Sequence, residues 1–507
     1  MTKSVSEQLE CHRSYAEYLD EISEDELLYG LLGCGMFSDK LPPMFSSEAL
    51  FGYVENFSLP TKPERHRYVS FCTPKNDGGV RAMGIPHPIS YAQLCLTLED
   101  SWAKIKQRMK DGCINQKYKV SRIHLRKQSI SGRLFKMNYH VWQLDGDPTP
   151  LIQINATYRV TTDISMCFPS IYSHAVPWAL VGKEAAKVKR GNQLWFNKID
   201  RDLRNCTDGE THGILIGPDS SNLIAEIILT EIDKELIAKG YRYVRNIDDY
   251  TCYTESYDGA RRFLVELDEQ LIKYGLLRNQ KKTLIEPLPV PLSEDWVTEL
   301  RRLSNELPEK VDRGAVDSSL DYATALMQVH KNTSIMIFLL RVLAKRDFTA
   351  PAEELLVSRM LQLVRSYPYL VITFEELVLN RFNVATEDIN LLSNYLYKLS
   401  FDTHDWFGAY YAFYYSLKYK FNINGVLVDD VISSDDCLLK TLEYRYALER
   451  NNKSAIQKLE SDAMQLLKNG DADDNWLFVY EALSAQQLGN NSLGDLKSKG
   501  VAFISFA

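Results

Sequence analysis

The sequence predicts an α+β fold followed by an all-α helical-repeat domain, and three observations carry that reading. From about residue 60 to 290, short β-rich runs (RYVSFC, LIQINATYRVTTDI, YRYVRNI, YTCYT) alternate with amphipathic helical stretches such as SSNLIAEIILTEIDKELIAKG. The segment EPLPVPLSED, 286 to 295, packs three prolines into a few residues and breaks any periodicity, which marks a linker. Beyond it, SLDYATALMQVH, SIMIFLLRVLAKR, AEELLVSRMLQLVRS, INLLSNYLYKLS and DCLLKTLEYRYALER place apolar residues at three-and-four spacing between short polar breaks. Stacked helical pairs, solenoid-like, are the economical reading. The expected boundaries are an N-terminal helical segment over 1–60, the α+β part over 61–290 and the helical array over 300–507.

Bulk properties bound the rest. The chain has 507 residues, 45% of them hydrophobic, enough for two to four domains with buried cores. A net charge of −8 argues against a wholly basic nucleic-acid coat and leaves room for a local basic groove. Nine cysteines, scattered and without a CxxC pair, disfavour a zinc ribbon and a disulfide scaffold and point to a reducing, cytoplasmic setting. The longest uncharged run of the helical half, NTSIMIFLL, is far short of the roughly 20 apolar residues that span a bilayer, so no membrane is expected.

In chain order, RHRYVSFCTPKNDGGVRAMGIPHP reads as a hairpin turning at Asn76 to Gly79, with Lys75 and Arg81 on its arms. Two cations straddling a flexible tip suit a triphosphate, although a solvated hairpin with ordinary surface charges reads the same way. The basic stretch 117–136, KYKVSRIHLRKQSISGRLFK, interleaves Tyr118 and Phe135 and fits either a nucleic-acid groove or a solvated face. In RVTTDISMCFPSIYSH a β-branched run delivers Asp163 to a strand end, five residues before Phe168. GILIGPDSSNLIAEIIL sets Gly213 and Gly217 around a loop that Pro218 turns into an apolar helix capped by Asp219 or Ser220, with glycines that permit close backbone approach. RNIDDY then places Asp248 and Asp249 at a hairpin tip. Carboxylates crowded at a strand tip repel unless a cation sits between them, so Asp163, Asp248 and Asp249 together ask for divalent metal. Farther on, the aromatics of WFGAYYAFYYSLKYKF, at helical spacing, read as core.

Taken in order, the Lys75/Arg81 hairpin, Asp163 to Phe168, the Gly213 to Ser221 loop, IDD at 247–249 and LIKYGLLRNQKKT ending in Lys282 and Thr283 resemble the fingers and palm of reverse transcriptases. The resemblance implies that Asp163, Asp248 and Asp249, with the Ile164 backbone, hold two Mg2+ ions, with Mn2+ as a substitute. It implies that Phe168 excludes a ribose 2′-hydroxyl, and that Lys75, Arg81, Gly217 and Lys282 serve the incoming nucleotide. Asn246 stands where the family has an aromatic residue, which changes how a primer end is met. More narrowly, IGPDSSNLIAE followed by a helical array is similar to the bacterial abortive-infection reverse transcriptases, including the P2-prophage type. That implies phage defence by a homo-oligomeric, N-terminally helix-packed polymerase making untemplated DNA from dNTPs, with single-stranded product attached to the protein through a tyrosine. Among 29 tyrosines, Tyr15, Tyr18 and Tyr29 are N-terminal candidates expected at the surface. Two rivals stand beside this reading. An RNA-templated enzyme of retron type would need a cognate RNA encoded beside it. A catalytically silent helical scaffold would have no reason to keep like charges crowded at strand tips.

Overall fold

The computed structural model describes residues 12–60, 63–75, 79–127, 132–135 and 145–506. The protein is a mixed helix and sheet structure, dominated by helices. Its central element is a four-stranded antiparallel sheet in the order β4-β5-β3-β6, built from β3 (Tyr158–Asp163), β4 (Arg242–Asn246), β5 (Asp249–Thr254) and β6 (Leu284–Pro287). β3 carries Val, Thr and Thr at its centre and is paired on both edges, as β-branched residues favour. A separate hairpin pairs β1 (Tyr68–Pro74) with β2 (Val80–Pro86). The Lys75 N–H closes on the Gly79 carbonyl at 2.8 Å; the turn expected from Asn76 lies, over 76–78, outside the described residues.

Helices pack on the sheet and on the hairpin base. The helix Pro88–Asp100 (α1) follows β2 directly, with Pro88 at its first turn and the His87 side chain accepting from the Ile89 N–H. Trp102–Cys113 (α2) runs on from it, and its Trp102 indole donates to the Ile22 carbonyl at 2.8 Å, fixing the N-terminal helices. The 20-residue helix Asp219–Ala238 (α3) is buried nearly all round, as its run of Leu and Ile dictates, and Gly240, at φ 85°, ends it in the left-handed conformation. Tyr257–Lys273 (α4) is amphipathic and starts at Ser256, whose hydroxyl accepts from the Gly259 N–H.

Past residue 294 the chain is helical apart from two short strands. Arg313–His330 (α5) packs on Ser334–Leu343 (α6) and Ala350–Ser366 (α7), and Thr386–Thr403 (α8) packs on Phe407–Tyr419 (α9). Cys437–Glu449 (α10) follows, packed on α9, on Lys453–Asn469 (α11) and on Trp476–Ala482 (α12). Each of these contacts joins helices one or two places apart in the chain. The aromatic helix α9 is buried along its length, with the Tyr410 hydroxyl on Asp436 and the Tyr414 hydroxyl on Glu375.

The array then turns back. α9, α10 and α12 all pack against β1, and the buried Trp476 indole donates to the Ile85 carbonyl of β2 at 3.4 Å. The Arg67 guanidinium reaches the Gly470 carbonyl at 2.6 Å and Asp474 at 3.0 Å. Near the C-terminus, the Ser505 N–H donates to Met44 and the Phe503 carbonyl accepts from Ser46, both at 2.9 Å. One continuous apolar core therefore runs from the N-terminal helices through the sheet into the array. Among the described residues no helix is long and apolar enough to cross a membrane.

Two expectations are corrected. Tyr15 and Tyr18 are buried, 2% and 6% exposed, and Tyr29 is half-buried, so none is the surface tyrosine expected; each supplies its ring to the packing of the N-terminal helices. The basic stretch is mostly structural. Lys119 and Arg122 are buried, Lys119 paired with Asp145 and Arg122 bonded to the Gly146 carbonyl, while Phe135 is core. Gln128 to Ser131 and Lys136 lie outside the described residues.

Candidate active site

The β4–β5 hairpin turns on two residues, Ile247 and Asp248, because Asn246 pairs with Asp249. Ile247 has φ 57°, and Asp248 does not share that sign, the pattern of a type II′ turn. A β-branched residue is strained there, and such strain gathers where the surrounding structure imposes it. The turn hands Asp249 to β5 directly opposite Asp163 of β3. The Asp248 carbonyl accepts from the Ile164 N–H at 3.1 Å, so the turn is bonded to the end of β3.

The third side of the site comes from residues after α4. The Asn279 N–H donates to the Asp163 carbonyl and the Ser165 N–H to the Leu277 carbonyl, both at 2.8 Å. The same segment delivers Lys282, whose ammonium lies 2.7 Å from Asp163 Oδ2. The opposite oxygen, Oδ1, is buried without a hydrogen-bond partner.

Charge is stored here. Burial first, then the charges of Asp248 and Asp163, push the Asp249 carboxyl up to about 6, with Lys282 opposing. Burial and Asp163 also raise Asp248, against the pull of Lys282 and Arg81. The hydrogen bond to Asp163 and the surrounding carboxylates hold the Lys282 ammonium above the ordinary lysine range. Each carboxylate thus works against its neighbours, which is the state a cation relieves.

The remaining residues fall into place around this edge. Phe168, half-buried on the short helix Cys167–Ser170, offers its carbonyl to the Ile214 N–H at 3.0 Å. The loop from Gly213 is thereby stitched to the segment after Asp163, and the Gly84 N–H of β2 donates to the Ile216 carbonyl at 2.9 Å. Gly217, at φ 134°, lies so close to β2 that a Cβ would sit 3.0 Å from the Gly84 carbonyl oxygen, and this contact requires glycine. Arg81 is exposed on β2, opposite Thr73, and its charge reaches Asp248; Lys75 is exposed at the far end of β1. The structure therefore joins Asp163, Ile164, Asp248, Asp249 and Lys282 directly, and brings Phe168, Gly217 and Arg81 alongside. Lys75 stands apart at the hairpin tip.

No protein-family model matches the chain, and no curated protein matches its sequence. Solved structures similar to it are telomerases, enzymes of the reverse-transcriptase family. Apo telomerase from Candida tropicalis is 11% identical with a TM-score of 0.33, over 74% of this chain and 70% of that one. A form of that enzyme truncated from the C-terminal domain gives 11% and 0.30, over 46% of this chain and 53% of that one. Telomerase from Candida albicans in complex with a TWJ fragment of telomeric RNA gives 13% and 0.28, over 73% of this chain and 64% of that one. The chain thus spans between about half and 70% of the length of these neighbours.

Two groups of charged residues at or near the site escaped the sequence reading. Arg245, in β4, is fully buried between Glu226 and Asp233 of α3. Arg278 pairs with Asp268 at 2.8 Å and also donates to the Thr283 hydroxyl, which steadies the segment carrying Lys282. The available signal was acidic residues seven apart inside an apolar helix, which demand a buried cation.

Among the described residues, one group of three has potential ligand atoms all within 4.8 Å of one another: His66, His87 and Asp473. Its imidazoles stack face to face at 3.7 Å and 9°, so their lone pairs run parallel and do not meet at a point. His87 Nδ1 already accepts from Ile89, and His66 Nδ1 lies 2.6 Å from the Ser90 hydroxyl. Burial lowers both pKa values, and the neutral rings act as a packing seam between the hairpin base and the loop before α12.

Proposed function

We propose that the chain is a metal-dependent nucleotidyltransferase that adds deoxynucleotides to a DNA 3′ end, with the sheet as a reverse-transcriptase-like palm, β1–β2 as fingers and the helical array behind them. The observation that carries this is the convergence of Asp163, Asp248 and Asp249 on one sheet edge, with Lys282 on one carboxylate. The donor set fits divalent magnesium, or manganese: hard carboxylate oxygens, one of them enclosed and unpartnered, in a site whose charge is unbalanced. Asp163, Asp248 and Asp249 would hold the metal, with the Ile164 backbone beside them. When bound, a metal pair neutralises triphosphate charge and lowers the pKa of the attacking hydroxyl.

The chain's own residues do the rest. Lys282 and Arg81 are the cations facing the carboxylates, and they meet the negative charge of an incoming triphosphate, with Lys75 at the hairpin tip. Gly217 lets the loop backbone approach, and the Phe168 ring crowds the 2′ position of the sugar. The resemblance to abortive-infection enzymes supplies the setting: phage defence, homo-oligomeric assembly, and untemplated synthesis on a tyrosine of the protein. Because Tyr15 and Tyr18 are core residues, the priming hydroxyl belongs to another tyrosine. The site reading is tested by single-turnover incorporation of labelled dNTPs with Mg2+ titrated from zero. Incorporation that is equal with and without chelator would end the metal reading.

A further inference from the structure

Beneath the catalytic turn lies the most enclosed charge cluster of this region. Arg245 has no exposed side-chain surface. Its Nε and Nη2 donate to Asp233, at 2.9 and 2.6 Å, and its Nη1 and Nη2 to Glu226, at 3.0 and 3.2 Å. Nη1 also donates to the carbonyl of Ile247, at 2.8 Å. Ile247 is the residue at φ 57° that makes the two-residue turn possible. The Tyr243 hydroxyl adds a 2.9 Å bond to Asp233. On the main chain, Arg245 exchanges bonds with Val120 and Arg122, at 2.9 and 2.7 Å, so β4 is gripped on the edge away from β5 as well.

A planar fork suits this task and an ammonium does not. The guanidinium spans two carboxylates and a carbonyl at once with fixed angles, whereas lysine offers a point charge. Glu226 and Asp233 both belong to α3, the helix that begins at Asp219, two residues after Gly217. One side chain therefore ties the strained turn to the helix that carries the nucleotide-side loop.

We propose that Arg245 is a positioning residue: through the Ile247 carbonyl it holds the turn so that Asp248 and Asp249 face Asp163, and through Glu226 and Asp233 it couples that turn to α3. This rests on reading the aspartates as a metal site. Removing such an outer partner weakens metal affinity by about tenfold to a hundredfold in known sites, because the ligands lose their orientation without losing their identity.

The test uses the full chain with Arg245→Lys, which keeps the charge and loses the fork, and Glu226→Gln, which leaves Arg245 paired with Asp233. Mn2+ affinity is read from the spin-resonance signal of free Mn2+, incorporation as kcat and KM separately, and backbone exposure by hydrogen exchange of residues 244–251. Arg245→Lys is expected to weaken Mn2+ binding about tenfold or more and to lower kcat with KM for dNTP little changed. High metal is expected to restore part of the rate, and exchange is expected to speed up in 244–251. Glu226→Gln is expected to move the same readouts the same way by less. Unchanged Mn2+ affinity and unchanged exchange in Arg245→Lys would overturn the proposal. If the wild-type chain binds no Mn2+, the metal reading fails, and exchange at 244–251 in Glu226→Gln and Arg245→Lys still decides whether Arg245 holds the turn. Should Arg245→Lys fail to fold, Glu226→Gln carries both readouts, and wild-type values in it contradict the coupling.

Discussion

Asp163 and Asp249 face each other across the antiparallel register of β3 and β5, so two carboxylates leave the same face of the sheet at paired positions. Paired positions on one face put side chains within about 5.5 Å, a spacing that is destabilising for like charges and useful for holding a cation. The predictions below follow from that conflict.

Asp248→Asn removes one carboxylate and keeps its shape. Incorporation is expected to fall by about a thousandfold or more, since a metal clamp supplies several kcal/mol of transition-state stabilisation. The metal-free variant should melt at or above the wild-type temperature, because a like charge has gone. Near wild-type incorporation would contradict the assignment; a lower melting temperature would contradict the repulsion argument.

Asp249 sets a pH dependence. Its carboxyl is pushed from 3.8 to about 6 in the folded protein, so between those values the folded chain holds a proton that the unfolded chain has released. Stability of the metal-free protein therefore falls as pH rises through this window, and the contribution is flat above it. Metal competes with that proton, so Mg2+ binding tightens as pH rises through about 6. Denaturant melts at pH 4.5 and 7, compared with those of Asp249→Asn, isolate the term. An identical pH dependence in the two proteins would remove Asp249 from this role.

Phe168→Ala is expected to admit ribonucleotides. The ring is half-buried beside Asp163 and its carbonyl is committed to Ile214, so the side chain can be cut back with the loop kept in place. Discrimination between dNTP and rNTP in kcat/KM should drop by about tenfold or more, the scale on which steric pockets select. Unchanged discrimination would show that selection lies elsewhere.

Trp476 joins the helical array to the β1–β2 hairpin. It is fully buried against His87 and Phe503, and its indole donates to Ile85. Trp476→Ala is expected to cost about 3 to 5 kcal/mol and to split a single unfolding transition, because the cavity opens at the junction. A loss below about 1 kcal/mol would show that the array and the hairpin do not depend on each other there.

Much of the fold around the candidate site was legible because its residues sit on strongly patterned elements. The alternation around RNIDDY gives β4 and β5, the β-branched run before Asp163 gives β3, and GPDSS before an apolar run gives the start of α3. The even aromatic spacing of α9 gives core. Other features depend on partners remote in sequence, which periodicity cannot supply. Lys119 and Arg122 look like a basic stripe until Asp145 and the Gly146 carbonyl are seen to enclose them. Tyr15 and Tyr18 read as surface hydroxyls until α2 and His124 cover them. Arg245 stood inside the quoted motif, yet its meaning lies in Glu226 and Asp233, a helix away. The return of α12 onto β2 is likewise a contact between residues nearly 400 apart, with no local signature.

The most direct test of the central claim is incubation of the purified chain with each labelled deoxynucleotide and Mg2+, without template, followed by a denaturing gel. Label is expected to migrate with the protein, to be released by protease, and to be absent with Asp163→Asn. Label that appears only with an RNA template and annealed primer would replace the untemplated, protein-primed reading with a retron-like one. No incorporation under either condition, with Mg2+ or Mn2+, would contradict the assignment of this chain as a polymerase.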